Sequence, residues 1–224
     1  MKKLKLILII LGSIIVLLAT TILIALAIDN TKAAGLIDDY SSILADPKYQ
    51  TAVSVENAKF IKQDVSCGYA VIEMFGKWTG NDQLTEASLY DQYGKVVTST
   101  GASFEKEMNT QFPAYKTTMY KNLKASELID KVYDSLKAGM PVPFEWAAKL
   151  ENEWTLHYSL VTGLDAANSR VTVQNPYGYE ESIGVNEFID RTSFHAYENM
   201  PLFLQLGFAF GMFERNTIFI VEAK

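Results

Sequence analysis

The feature that most restricts this chain is residues 6–28, LILIILGSIIVLLATTILIALAI, a run of 23 positions without a charge. At about 1.5 Å per residue, a helix of that length reaches roughly 34 Å, enough to cross the hydrocarbon layer of a bilayer. A cleaved signal peptide usually has an apolar core of about 7–15 residues, so the run reads as a retained transmembrane anchor. Ala25-Leu26-Ala27 supplies a small-x-small triplet where a signal peptidase could cut, and the alternative is a secreted chain. Lys2, Lys3 and Lys5 precede the run, Asp29 follows it, and Lys32 is the next base. The positive-inside bias therefore predicts a cytoplasmic n-region, 1–5, an anchor, 6–28, and an extracytoplasmic remainder.

That remainder carries 17 bases against 26 acids, a net charge of −9. It has no basic run, which argues against a nucleic-acid partner. The acidic balance is itself accounted for by solubility. Cys67 is the only cysteine in 224 residues, so an intramolecular disulfide is impossible and the thiol stands unpaired on the disulfide-permissive side.

Residues 29–55 read as a juxtamembrane stalk, with Leu36, Ile37, Tyr40, Ile43 and Leu44 at helical spacing. It either packs on the domain or spaces it from the membrane. The domain proper is expected over 56–224. A helix is predicted from Cys67 to Lys77, because Ala70, Val71, Met74, Phe75 and Trp78 form one stripe. A second follows Thr85 as N-cap and stops at Gly94, and a third starts at Ser126 and closes at Gly139 before Pro141. Residues 95–120 give no clear pattern. Strands are predicted over 141–148, 154–164, 170–175 and 215–223, with a helical turn at 186–190. The apolar segment 201–213 is too short to span a membrane and reads as core or as a substrate wall. Helices first and antiparallel strands afterwards indicate an α+β fold.

A thiol at a helix start feels the positive end of the helix dipole, which favours thiolate. The same free N–H groups can bind a developing oxyanion, and Gly68 offers room for a substrate backbone. On its own, a lone cysteine is more often a buried packing residue. A nucleophile also needs a base. In the hairpin 154–175, a loop centred near 166–167 pairs residues whose numbers add to about 332–334, so His157 falls near Asn175. Cross-strand neighbours lie about 4.5–5.5 Å apart at Cβ. An asparagine oxygen there can hold one imidazole nitrogen and leave the other for the thiol. His195, in the polar stretch TSFHAYENMP, is the competing base. Gln63 stands just upstream of the thiol, where its amide could serve as a second oxyanion donor. One cysteine and two distant histidines do not make a zinc site, and no cofactor is expected.

The strings QDVSCGYA, LHYSLVTGLD and VTVQNPYG, in that order and spacing, resemble the family-39-like cysteine peptidases over roughly residues 56–224. These are papain-like proteins related to the bacteriocin-leader peptidase domain. The resemblance implies a Cys-bearing helix packed on an antiparallel sheet. It also implies Cys67 as nucleophile, His157 as base and acid, Asn175 as orienting residue and Gln63 as oxyanion donor, acting on a peptide or protein. Two positions depart from the family pattern: the glutamine usually stands farther upstream, and Tyr69 replaces a frequent proline. The expected resting state is a thiolate–imidazolium pair. A cell-wall amidase or endopeptidase, and an inactive papain-like binding module at the surface, remain as alternatives. The oligomeric state is left open by the sequence.

Overall fold

The computed structural model describes residues 2–94, 98–150, 153–195 and 200–224. Helix α1 (Lys2–Gly35) continues past the apolar run, and most of its large side chains up to Ile28 are bare. The next segment packs on the domain. The short helix α2 (Ser41–Ala45) and a 3-10 turn at Pro47–Tyr49 lead to strand β1 (Val53–Ser54). Asp38 accepts hydrogen bonds from the Ser126 amide and hydroxyl, and the Ala125 amide donates to the Leu36 carbonyl.

Helix α3 (Cys67–Trp78) begins where the stripe predicts, with Ser66 in extended backbone as its N-cap. Helix α4 (Glu86–Tyr93) starts from Thr85 through a capping box with Ser88 and ends at Gly94, whose φ of 74° suits glycine. The stretch without a clear pattern contains α5 (Gly101–Gln111) and β2 (Tyr115–Tyr120), while residues 95–97 lie outside the described residues. In helix α6 (Ala125–Lys137) the N-cap position is Lys124, whose backbone N–H donates to Glu127, and not Ser126, whose hydroxyl is committed to Asp38.

The strands β3 (Val142–Leu150), β4 (Glu153–Asp165), β5 (Arg170–Asn175), β6 (Tyr179–Gly184) and, after helices α7 (Val185–Ser193) and α8 (Leu202–Ala209), β7 (Ile218–Ala223) complete the chain. They form one antiparallel sheet in the order β2-β7-β3-β4-β5-β6, with β1 added to β4. Alternation along the strands splits the core in two. Tyr158, Leu160, Phe219 and Val221 pack with Phe75 of α3 and Phe104 of α5. Trp146, Val161, Val173 and Ile218 pack with Leu128 of α6 and Phe188 of α7. The fold is thus α+β, with the Cys-bearing helix on an antiparallel sheet.

Candidate active site

Cys67 is the first residue of α3, and what positions it is the loop before the helix. The buried carboxylate of Glu86 accepts the backbone N–H groups of Asp64 at 2.8 Å, Val65 at 2.7 Å and Ser66. Glu86 is itself fixed through its own amide, which donates to Glu73 at 2.6 Å. The Gln63 backbone N–H donates to the Pro176 carbonyl at 2.8 Å, and Lys62 forms a backbone β-bridge with Tyr177, so this loop runs alongside the end of β5. Gln63 therefore lies beside the Asn175-Pro176 step, with its side-chain oxygen buried and without a hydrogen-bond partner.

The hairpin register is Leu160↔Gln174 and Val161↔Val173 toward His157, at the upper end of the predicted range, and shifts one position past it between Val161 and Gly163, to Leu164↔Val171 near the loop. His157 reaches Asn175 diagonally: Nε2 lies 3.0 Å from Asn175 Oδ1. That same oxygen accepts the Tyr177 amide at 2.9 Å, and Asn175 Nδ2 donates to Glu181. Both partners fix the orientation of the Asn175 amide, so the neutral imidazole must carry its proton on Nε2. Nδ1 is then the basic nitrogen. Tyr177 stacks on the imidazole at 4.1 Å between centroids. Behind Asn175, Glu181 pairs with Arg191 at 3.2 Å, and the guanidinium lies 3.4 Å over the Trp146 ring.

The Cys67 sulfur meets the backbone amide of Tyr158, the residue after His157. The thiol is thus tied to the strand residue next to the imidazole, and Tyr177 stacks on that ring. Among the described residues, no hydrogen bond joins the sulfur to the ring. His195 sits beyond the left-handed cap residue Phe194 of α7, its amide 3.3 Å from the Asp190 carbonyl, and residues 196–199 lie outside the described residues.

Protonation differs from the expected ion pair. Cys67 is only half-buried as a residue, yet packing around its sulfur pushes the thiol up to about 11. Bonds from the Tyr158, Gly68 and Cys67 amides oppose the rise, and the charge of Glu145 adds to it. His157 is almost fully buried and is pushed down to about 4, chiefly by burial, against the bond to Asn175. Desolvation outweighs the helix dipole: burial pushes the thiol up and the imidazole down, so both shifts favour the uncharged forms over the expected ion pair.

Three residues at the site escape sequence reasoning. Glu145 stands opposite Tyr158 in the β3–β4 register and is buried. Burial pushes its carboxyl up to about 7, and the Tyr158 hydroxyl partly opposes this. Glu145 Oε1 and the Tyr158 hydroxyl nevertheless make no well-formed hydrogen bond. The signal in the sequence was one acid inside the apolar strand PVPFEWAA. Glu86 gave no signal, because its role depends on a loop twenty residues away. Thr98 occupies the space beside Gly68: a Cβ there would fall inside the Thr98 side chain. The expected room for substrate at Gly68 is thus filled by protein. Tyr69, the departure from the family pattern, is fully buried and ties α3 to the Gly94 carbonyl at 2.7 Å.

The model of the Peptidase_C39 like family matches residues 48–201, more than half of the chain. The chain belongs to this family. Two solved structures are similar to this chain. The peptidase domain of Streptococcus ComA, a bifunctional ABC transporter of a quorum-sensing pathway, is 16% identical, with a TM-score of 0.50. That match covers 75% of this chain and 100% of that one. A double glycine motif protease from an AMS/PCAT transporter, solved with the leader peptide, is 12% identical, with a TM-score of 0.46. That match covers 77% of this chain and 99% of the other. Among curated proteins none matches.

Proposed function

We propose that this C39-like peptidase is a membrane-anchored, extracytoplasmic cysteine peptidase. Residues 6–28 form the anchor, 1–5 stay in the cytoplasm, and 56–224 form the catalytic domain. Cys67 is the nucleophile, His157 the base and acid, Asn175 the orienting residue and Gln63 the oxyanion donor. The observation that carries this reading is the His157 Nε2···Asn175 Oδ1 bond of 3.0 Å, in a family member whose sole thiol starts a helix beside the next strand residue. Family membership supports a peptide or protein substrate.

In this reading the thiol and the imidazole both start uncharged, in line with the directions of their shifts. As the sulfur attacks the scissile carbonyl carbon, its proton passes to His157 Nδ1, so that thiolate forms only with the new S–C bond. The oxyanion is held by the Cys67 amide and the Gln63 side chain. His157 then gives the proton to the leaving amine, the C–N bond breaks, and water hydrolyses the acyl-enzyme with His157 again as base.

A buried, neutral thiol with no bond to the ring also favours a second reading, an inactive module that binds peptides. Incubating the full-length protein in vesicles with casein, or with purified cell wall, separates the readings. Casein cleavage that is lost in both Cys67→Ala and His157→Ala supports the peptidase. Release from wall alone indicates an amidase or endopeptidase, and peptide binding without turnover indicates the inactive module. Protease accessibility of 29–224 in sealed vesicles tests the sidedness.

A further inference from the structure

Segment 201–213, expected as core or substrate wall, is only half core. Leu204 and Phe208 of α8 are buried with Ala147, Phe194 and Met200. Leu202, Phe203, Phe210 and Met212 remain more than half exposed. Among the described residues outside α1, these four are the most exposed large apolar side chains. Residues 200–213 contain no charge. A helix that is apolar on every side belongs inside a core or inside lipid, and α8 has a core on one side only. The turn after it is built to keep its apolar tip outward. Gly211 reverses the chain at a φ of 71°, and the Phe213 ring folds back over Gly207 so closely that no Cβ would fit there. Phe213 is thereby partly buried while Phe210 and Met212 project.

Helix α8 also packs against α1. Asp29 and Lys32 of α1 line one cavity with Phe208, Ala209 and Phe213. Arg215 locks the two together. Its Nη2 and Nε donate to Asp29, its Nη1 donates to the Ser193 and Phe194 carbonyls, and its guanidinium lies 4.3 Å over the Phe208 ring. On α1 itself, Ile22, Ala25, Leu26, Asp29 and Ala33 lose exposure along one helical stripe. That stripe starts six residues before the end of the apolar run, about 9 Å of helix. Interfacial helices lie about 5–10 Å into the boundary between headgroups and acyl chains.

We infer that α8 and the turn to Phe213 form a second membrane contact, lying in the interfacial layer of the bilayer beside α1. The domain then rests on the membrane, held by Leu202, Phe203, Phe210 and Met212. This inference rests on the reading of 6–28 as an anchor.

The test uses the full chain with Cys67→Ala, carrying one new cysteine labelled with an environment-sensitive fluorophore. It is reconstituted in vesicles of equal parts phosphatidylcholine and phosphatidylglycerol. Labels go at Phe203 and Met212, at Ile15 in the middle of the anchor, and at Ala167 in the polar hairpin. The expected result is a blue-shifted emission at Phe203 and Met212. Lipids brominated near the carbonyl should quench it more than lipids brominated near the chain end. Ile15 should show the reverse order and Ala167 no quenching. Quenching at Ile15 with Phe203 and Met212 behaving like Ala167 overturns the interfacial contact and leaves the anchor standing. Loss of quenching at Ile15 as well overturns both. Shielding of Phe203 that depends on protein concentration and not on lipid assigns the face to a second copy of the chain, and also overturns the inference.

Discussion

The protonation of Cys67 makes a sharp test of the site, because the helix dipole and burial predict opposite results. With the thiol pushed from 9.0 up to about 11, the thiolate fraction at pH 7 falls about 100-fold. A more basic thiolate is intrinsically more nucleophilic. With a Brønsted slope of about 0.4–0.5, two units return a factor of roughly 6–10. The net expectation is alkylation at least about 10-fold slower than for the same cysteine in the unfolded chain. The assay follows iodoacetamide modification of the full-length protein by mass spectrometry from pH 5 to 10, with the urea-unfolded chain as reference. The rate should climb through pH 9 without a plateau. His157→Ala should leave it nearly unchanged at pH 7, since a ring pushed down to about 4 carries no charge there. A fast plateau between pH 5 and 8 that exceeds the unfolded reference and vanishes in His157→Ala would refute the neutral-pair argument. It would point to a thiolate–imidazolium pair in its place. The same shift sets the acid limb of peptide cleavage: Nδ1 must be free of a proton, so kcat/KM should fall as pH drops through about 4.

Stability against pH offers a second check. Glu145 is pushed from 4.5 up to about 7, so between those values the unfolded chain binds fewer protons, and its contribution, full below 4.5, is lost as pH rises through about 7. His157 is pushed from 6.5 down to about 4, so its contribution is full above 6.5 and lost as pH falls through about 4. The two slopes oppose each other, and Glu145→Gln should leave a Tm that climbs between pH 4 and 6.5. Gly68→Ala forces a methyl into the Thr98 side chain, an overpacking cost of about 1–3 kcal/mol, and should lower cleavage; an unchanged Tm and rate would contradict the packing described. Asp29→Asn breaks a buried pair while Arg215 keeps its carbonyl partners. The expected loss is about 3 kcal/mol or less, with faster hydrogen exchange over residues 29–37, whereas Lys121→Ala at an exposed pair should cost no more than about 1 kcal/mol.

Local pattern carried much of this protein. The uncharged run, the apolar stripe behind Ser66-Cys67 and the alternation of the 154–175 hairpin are properties of neighbouring residues, and helix period and strand register translate them directly into structure. The Cys67 helix start and the His157–Asn175 bond follow from them. What the sequence withheld depends on segments far apart in the chain. Thr98 fills the space at Gly68, Glu86 gathers the amides before the thiol, and Glu145 stands buried behind it. Half of 201–213 stays bare, on a helix that packs against α1. Desolvation is set by everything packed around an atom, whatever its place in the chain. The directions in which the thiol and the imidazole are pushed, and the exposure of α8, were therefore decided only by tertiary structure.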